Sequence, residues 1–198
     1  MDASRRKMIE TAEERFASRG REGLKLSDLA RRLGLPPRAV FKEFKTRDEL
    51  FVAVLGKVQE GLFAHLEAQC ATASGESGLD MALRLAEAYC RFLEARPESY
   101  LALMRDEDGL LAGLGPLARA EVRRLRARMV EQFETLLRLG HWDGSVRPDM
   151  AADAARRCVH VLVGLVRLRL TRPEARARNL RDMLMTLAGT SPTGTRAA

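Results

Sequence analysis

The sequence has little of what disulfide-rich, membrane-spanning or catalytic proteins depend on. Its three cysteines are odd in number and far apart, which fits a reducing cytoplasm and argues against a disulfide framework. No apolar run is long enough to span a bilayer, and the N-terminus has no secretory h-region. No Ser/His/Asp set, carboxylate cluster or phosphate-binding motif is evident, so we expect no enzyme and no cofactor.

What is present favours an all-α fold. Leu, Ala, Arg and Glu dominate while aromatic residues make up only 5%, and straight-chain residues lose little rotamer freedom on a helix. Periodicity and capping signals predict about nine helices. Thr46 should cap a long fourth helix, and Ser27 should cap the short second one. A sixth helix over 98–105 and a ninth over 173–188 complete the count.

The positive charge is concentrated in one short segment. Residues 19–47 contain nine Lys or Arg against three acids, so +6 of the total +7 lies there. Localised positive charge suits a polyanion such as DNA, although a solvated basic surface would have the same composition.

Residues 26–44 predict two short helices joined by a three-residue turn. Gly34 should start the turn, because glycine adopts a positive φ most easily. Ala30 is small enough for the helices to cross closely, and Leu35 should fill the gap between them. The expected shared core is Leu29, Leu33, Val40, Phe41 and Phe44. This pattern favours a DNA-binding helix-turn-helix over a plain helical hairpin.

From Arg6 to Gly61 the sequence resembles the TetR family of repressors. The matching residues are Ile9, Ala12, Phe16, Gly20, Asp28-Leu29-Ala30, Leu33-Gly34-Leu35, Phe41, Phe44 and Asp48-Glu49-Leu50. The rest of the chain matches only in layout. The resemblance implies an N-terminal three-helix DNA-binding domain and a C-terminal ligand-binding and dimerisation domain. It also implies a dimeric repressor that binds a palindromic operator and is released by a small effector.

The recognition segment departs from the family pattern. Pro36 stands where Ser is usual, Arg38-Ala39 where Gly-Thr is frequent, and Arg47 where Lys is frequent. Phe41 lacks the hydroxyl of the usual Tyr, which contacts a phosphate. Because two neutral phosphate contacts are missing, we expect more charged ones and a steep salt dependence of DNA binding.

The residues expected to touch DNA surround the third helix. Pro37, Arg38 and Lys42 are placed to reach base edges, and a bidentate Arg38–guanine pair would contribute about 1–3 kcal/mol of discrimination. The complete expected set is Lys25, Ser27, Pro37, Arg38, Ala39, Phe41, Lys42, Lys45 and Arg47.

The C-terminal helices carry bulky apolar residues with a few polar groups among them. The candidate pocket residues are Tyr89, Phe92, Tyr100, Met104, Met129, Phe133, Trp142, His160 and Val163, each of which could instead belong to the core. They suggest a mainly apolar effector with one or two hydrogen-bonding groups. The eighth and ninth helices should form a four-helix dimer bundle, with Val159, Leu162, Val166 and Leu184 in its interface. No metal site is expected, since Cys158 and His160 are two residues apart and cannot share a helix face.

The expected organisation follows from these assignments. Residues 1–48 form the DNA-binding domain, 49–72 a connecting helix, 73–188 the ligand-binding and dimerisation domain, and 189–198 a disordered tail. The expected partners are operator DNA, a second copy and an unknown effector, in a bacterial cytoplasm at the nucleoid. Two alternatives stay open. One is a DNA-bound protein that recruits another protein without an effector, and the other is a helical enzyme or carrier with a vestigial DNA-binding unit.

Overall fold

The chain is all-α throughout the part that the structure describes. The computed structural model describes residues 3–19, 24–70, 75–96, 115–147, 153–171 and 185–186, and within these ranges it contains helices and no strand. The helices are α1 (Ala3–Arg19), α2 (Leu26–Arg32), α3 (Pro37–Glu43), α4 (Arg47–Cys70), α5 (Gly78–Glu94), α6 (Pro116–Trp142) and α7 (Ala154–Thr171). The all-α prediction is confirmed.

The predicted count of about nine helices is not matched, because these ranges hold seven. The helix predicted over 98–105, and all but residues 185–186 of the one predicted over 173–188, lie outside the described residues. None of the described helices is long and apolar enough to cross a membrane.

The chain divides into two compact units. Unit 1 contains Met1–Phe63 and Ala95–Leu125, and unit 2 contains Ala64–Glu94 and Arg126–Ala198. Helices α4 and α6 therefore each contribute residues to both units. The domain boundaries expected from the sequence stay a prediction.

The core of unit 1 is built from the apolar stripe of α1. Ile9, Ala12 and Phe16 recur at helical spacing and are all buried. The ring of Phe16 meets that of Phe51 on α4 edge to face, with centroids 5.3 Å apart and planes at 86°. Burying one such ring contributes about 1.5–3 kcal/mol, so this pair fixes α1 against α4.

A Schellman motif ends α2 and sets the turn before α3. Gly34 has φ +65°, which confirms the predicted positive φ. Its N–H donates to the Arg31 carbonyl at 3.2 Å, and the Leu35 N–H donates to the Ala30 carbonyl at 2.9 Å. Pro37 is then the first residue of α3, where its missing N–H costs no hydrogen bond.

In unit 2 the start of α5 lies directly against the end of α6. The Gly78 N–H donates to Asp143 Oδ2 at 2.6 Å, and the Leu79 N–H donates to Ser145 Oγ at 3.2 Å. These bonds satisfy two of the amides that a helix start leaves unpaired. Helix α5 also packs on α7, where Arg169 and Glu94 form an ion pair of 2.8 Å.

Candidate DNA-binding surface

Helix α3 presents one face to the core of unit 1 and the other to solvent. Val40 and Phe44 are buried, and Ala39 is half-buried. Pro37, Arg38, Phe41 and Lys42 are exposed, so four of the residues expected to touch DNA share an accessible surface. Their spacing along α3 places them on one face of a short helix that begins with proline.

The exposure of Phe41 corrects one expectation. We expected Phe41 in the shared core as well as at the DNA, but its side chain is 47% exposed. The reason is helical geometry, because residues 40 and 44 are four apart and occupy the buried face while residue 41 follows 100° later. Leu33 is half-buried, and Leu29 and Ala30 are buried as expected.

The phosphate candidates on either side of α3 differ in exposure. Lys25, Ser27 and Lys45 are exposed, whereas Arg47 is half-buried. The predicted Ser27 cap is wrong, since α2 begins at Leu26 and the capping position is Lys25, which makes no side-chain cap bond. The helix therefore starts two residues earlier than a Ser27 cap would give, and its first residue, Leu26, is buried.

The predicted Thr46 cap of α4 is confirmed. The Glu49 N–H donates to Thr46 Oγ1 at 3.1 Å, while Glu49 Oε2 accepts the Lys45 N–H at 2.8 Å. This arrangement resembles a capping box, in which two backbone amides at the helix start are satisfied by side chains. It holds the chain rigidly where α3 passes into α4.

Arg5 is a positioning residue that sequence reasoning missed. Its Nη1 donates to the Glu43 carbonyl at 3.1 Å and to Glu43 Oε2 at 3.0 Å. Its guanidinium carbon lies 4.4 Å from the centre of the Phe44 ring. One side chain of α1 thus holds the last turn of α3. Arg5 and Glu43 are 38 positions apart in the chain, so no sequence pattern predicts this contact.

In unit 2 the structure separates the predicted pocket residues into two groups. Tyr89, Phe92, Met129, Phe133 and Val163 are buried. His160 is exposed and Trp142 is 76% exposed, and their assignment to a pocket stays a prediction. A helix end that is open to solvent explains Trp142, the last residue of α6. Tyr100 and Met104 lie outside the described residues.

His65 is a second residue that sequence reasoning missed. Its ring lies 5.6 Å from the Phe92 ring, centre to centre, and tilts by 44°. Its Nε2 is buried and has no hydrogen-bond partner among the described residues. A buried ring nitrogen without a partner costs free energy, so this position suits a bound polar group.

The predicted dimer residues on α7 are buried in this chain. Val159, Leu162 and Val166 belong to the buried residues of unit 2, and their place in a dimer interface stays a prediction. The exposed stripe of α7 contains His160 and Gly164 instead. Arg156, His160 and Gly164 recur every four residues and are all exposed, so this stripe follows the helical spacing, whereas the apolar run over 161–166 concealed it. Leu184 lies outside the described residues.

Two family models match the chain. The model of bacterial regulatory proteins of the tetR family matches residues 8–54, and that of the tetracyclin repressor-like C-terminal domain matches residues 82–188. The second match alone spans more than half of the chain.

The chain belongs to the TetR family of bacterial regulatory proteins.

Known relatives agree with this assignment. The HTH-type transcriptional repressor KstR2 of Mycolicibacterium smegmatis is 27% identical over 158 residues, which are 79% of this chain and 75% of that protein. The TetR family regulator PfmR of Thermus thermophilus superposes with a TM-score of 0.68 at 24% identity, over 92% of this chain and 94% of PfmR. A regulator of Saccharomonospora viridis in complex with choline superposes with a TM-score of 0.73 at 21% identity, over 94% of both chains. The last two likenesses show the TetR fold.

Proposed function

We propose that this TetR-family regulator is a repressor that binds a palindromic operator as a homodimer and releases it on binding a small effector. The exposed face of α3 carries the proposal. Pro37, Arg38 and Lys42 lie on this face and suit base edges, because residues in the N-terminal turns of a recognition helix approach the floor of the major groove. Lys25 and Lys45 are exposed on either side and suit phosphates.

The first experiment identifies the operator and then removes the contacts. Genomic fragments that bind the purified protein are selected, and affinity is measured by fluorescence anisotropy. Arg38→Ala should weaken operator binding by about 1–3 kcal/mol and relax specificity at one base pair. The separate variant Lys42→Ala should also weaken operator binding. Arg123→Ala removes the same charge from an exposed position of α6 and serves as the matched control. If Arg38→Ala and Lys42→Ala bind DNA as tightly as the control Arg123→Ala does, α3 does not read DNA.

The salt dependence of operator binding tests the effect of having Phe41 where the family usually has Tyr. Charged contacts release counterions, so affinity should fall steeply with salt, and Lys45→Ala should reduce the logarithmic slope by about 0.9. Phe41→Tyr restores a neutral donor at an exposed position and should strengthen binding without changing the slope. A shallow slope in the wild type would contradict the charged-contact hypothesis.

For the dimer, we propose that the exposed stripe of α7 meets its copy around Gly164. No atom of the described residues lies within 4 Å of the position that a Cβ on Gly164 would take, which leaves room there for a second helix. His160, Val161 and Leu168 lie three or four residues away on the same side and are exposed or half-buried.

The glycine pair in α4 and α7 gives a controlled test of the dimer. Gly56 is also helical, and its Cβ position has no neighbour within 4 Å in the part of the chain that the structure describes, so Gly56→Ala and Gly164→Ala change helix propensity equally. We expect Gly164→Ala to weaken the dimer in sedimentation equilibrium and Gly56→Ala to leave it unchanged. Equal dimer affinities in the two variants would place the interface elsewhere.

For the effector, we propose a mainly apolar molecule with a polar group that bonds His65 Nε2. The buried residues Tyr89, Phe92 and Phe133 belong to the same unit and support an apolar environment. Native mass spectrometry of the purified protein, followed by the same measurement on His65→Leu, tests this assignment. A retained ligand in His65→Leu would count against the role of His65.

A second candidate function is recruitment of another protein to DNA without an effector. The exposed Trp142 favours it, because large aromatic residues are enriched at protein interfaces. Loss of regulation in Trp142→Ala with intact operator affinity would support this alternative, and unchanged regulation would exclude Trp142 from it.

A further inference from the structure

Unit 1 contains an open groove of about 740 Å³ beside the end of the recognition helix. Its walls come from the end of α3, the first turns of α4 and the first turns of α6, together with Arg5 of α1. Ligand pockets typically measure about 300–1,000 Å³, so the groove has the size of a small-molecule site. All of its lining residues belong to unit 1.

The groove combines apolar walls with an exposed hydrophobic lip. Phe44, Val52 and Ala120 line it, and Leu117 at its edge is 75% exposed. A leucine that projects this far from a helix leaves most of its apolar surface in water, and covering that surface would be favourable. The groove therefore suits the apolar body of a ligand.

The charge of the groove is opposite to that of the chain. Four carboxylates line it, those of Glu43, Asp48, Glu49 and Glu121, against the single guanidinium of Arg5, so the lining has a formal charge of −3. The N-termini of α4 and α6 each offset roughly half a charge, and Arg124, which pairs with Glu121 at 2.8 Å, offsets one more, which leaves the groove at about −1. The whole chain is +7, so this site is a local inversion that favours cations.

Some residues that line the groove also form the contacts that position α3. Asp48 Oδ2 accepts the Gly115 N–H at 2.8 Å, which ties the first turn of α4 to the start of α6. Glu43 and Phe44, both in the lining, are the residues that Arg5 holds at the end of α3. A molecule bound here would contact the residues of both the Asp48–Gly115 hydrogen bond and the Arg5–Glu43 ion pair. It would therefore shift the position of the recognition helix.

We propose that this groove is a binding site for a small molecule with an apolar body and one cationic group, and that its occupation weakens operator binding. The site lies in unit 1, apart from the effector residues assigned to unit 2. Its effect on DNA is limited to the difference in ligand affinity between the DNA-competent conformation and the alternative one.

The test uses two probes with the same body and opposite charge. 4-Phenylbutylamine, which is protonated near neutral pH, and 4-phenylbutanoate are titrated by calorimetry into the full-length protein without DNA. The amine should bind one site per chain at least about tenfold more tightly than the carboxylate. Equal affinities of the two probes would overturn the proposal.

Two variants of α6 locate the binding. Leu117→Lys places a positive charge at the lip of the groove, at an exposed position where folding is not at risk, and should weaken amine binding about tenfold. Ala127→Lys adds the same charge at an exposed position outside the lining and should have no effect. Amine binding that is unchanged in Leu117→Lys would overturn the assignment.

Operator affinity then tests the second part of the proposal, that occupation of the groove weakens operator binding. Saturating amine should weaken operator binding by the wild type and by Ala127→Lys but much less by Leu117→Lys. Binding without any effect on operator affinity would overturn the regulation. Because the calorimetry needs no DNA, failure of the groove to bind the amine is distinguishable from failure of the protein to bind an operator.

Discussion

Replacing Arg5 by Met should loosen the C-terminal end of α3 and destabilise unit 1. The Arg5–Glu43 ion pair of 3.0 Å is about one-third exposed on both sides, so solvent screening limits it to about 0.5–1 kcal/mol. The bond to the Glu43 carbonyl adds about 1 kcal/mol. The guanidinium over Phe44 adds about 0.5–1 kcal/mol. Met retains the apolar stem, so the expected loss in the free energy of unfolding is about 2 kcal/mol.

The measurement is urea unfolding followed by circular dichroism, at matched protein concentrations because the proposed dimerisation would shift the apparent stability. Arg6→Met is the matched control, since Arg6 is the exposed neighbour on α1 and loses the same charge. Arg5→Lys keeps the charge without the planar fork and should fall between wild type and Arg5→Met. Operator affinity should drop in Arg5→Met by no more than about 30-fold, the equivalent of 2 kcal/mol. If Arg5→Met and Arg6→Met have the same free energy of unfolding, the contacts of Arg5 with Glu43 and Phe44 do not stabilise the protein.

Three further predictions concern packing, pH and thiol reactivity. Gly78→Ala should lower the free energy of unfolding by about 2–3 kcal/mol, because its Cβ would overlap the Gly140 backbone nitrogen and lie 2.6 Å from the Leu136 carbonyl oxygen. Gly56→Ala, with nothing within 4 Å, should instead raise it by about 0.5–1 kcal/mol, and urea unfolding that ranks the two equally would contradict this packing. Hydrogen bonds from Ser145 and the Gly78 N–H lower the pKa of Asp143, so its stabilising effect is complete above the unfolded pKa of about 3.9 and is lost as pH falls through the lower folded value. Asp143→Asn should therefore reduce stability at pH 7 and reduce it progressively less as pH falls below about 3.9, and a pH-independent difference in melting temperature would refute the linkage. Burial raises the pKa of Cys90 to about 12 and that of Cys158 to about 11, so iodoacetamide at pH 8 should modify the half-buried Cys70 first, and early labelling of Cys90 in peptide maps would contradict its burial.

The sequence by itself determined most helix boundaries of the N-terminal half, the start of α2 excepted, because these boundaries rest on local chemistry. Gly34 supplies the positive φ that ends α2, Pro37 starts α3, and Thr46 caps α4 through an amide three residues away. Each signal acts within one helical turn, so it can be recognised in the sequence without a tertiary structure. The alternation of buried and exposed residues on α1 is equally local.

The tertiary structure alone decided which faces of the helices meet and which stay open. Residues 161–166 of α7 form a continuous run without a polar side chain, and packing decides that Leu162 is internal while Gly164 is exposed. Arg5 reaches Glu43 across 38 positions, and Asp48 reaches Gly115 across 67. Such contacts depend on how helices pack in space, and a hydrogen bond between distant positions leaves no periodicity or spacing in the chain that forms it.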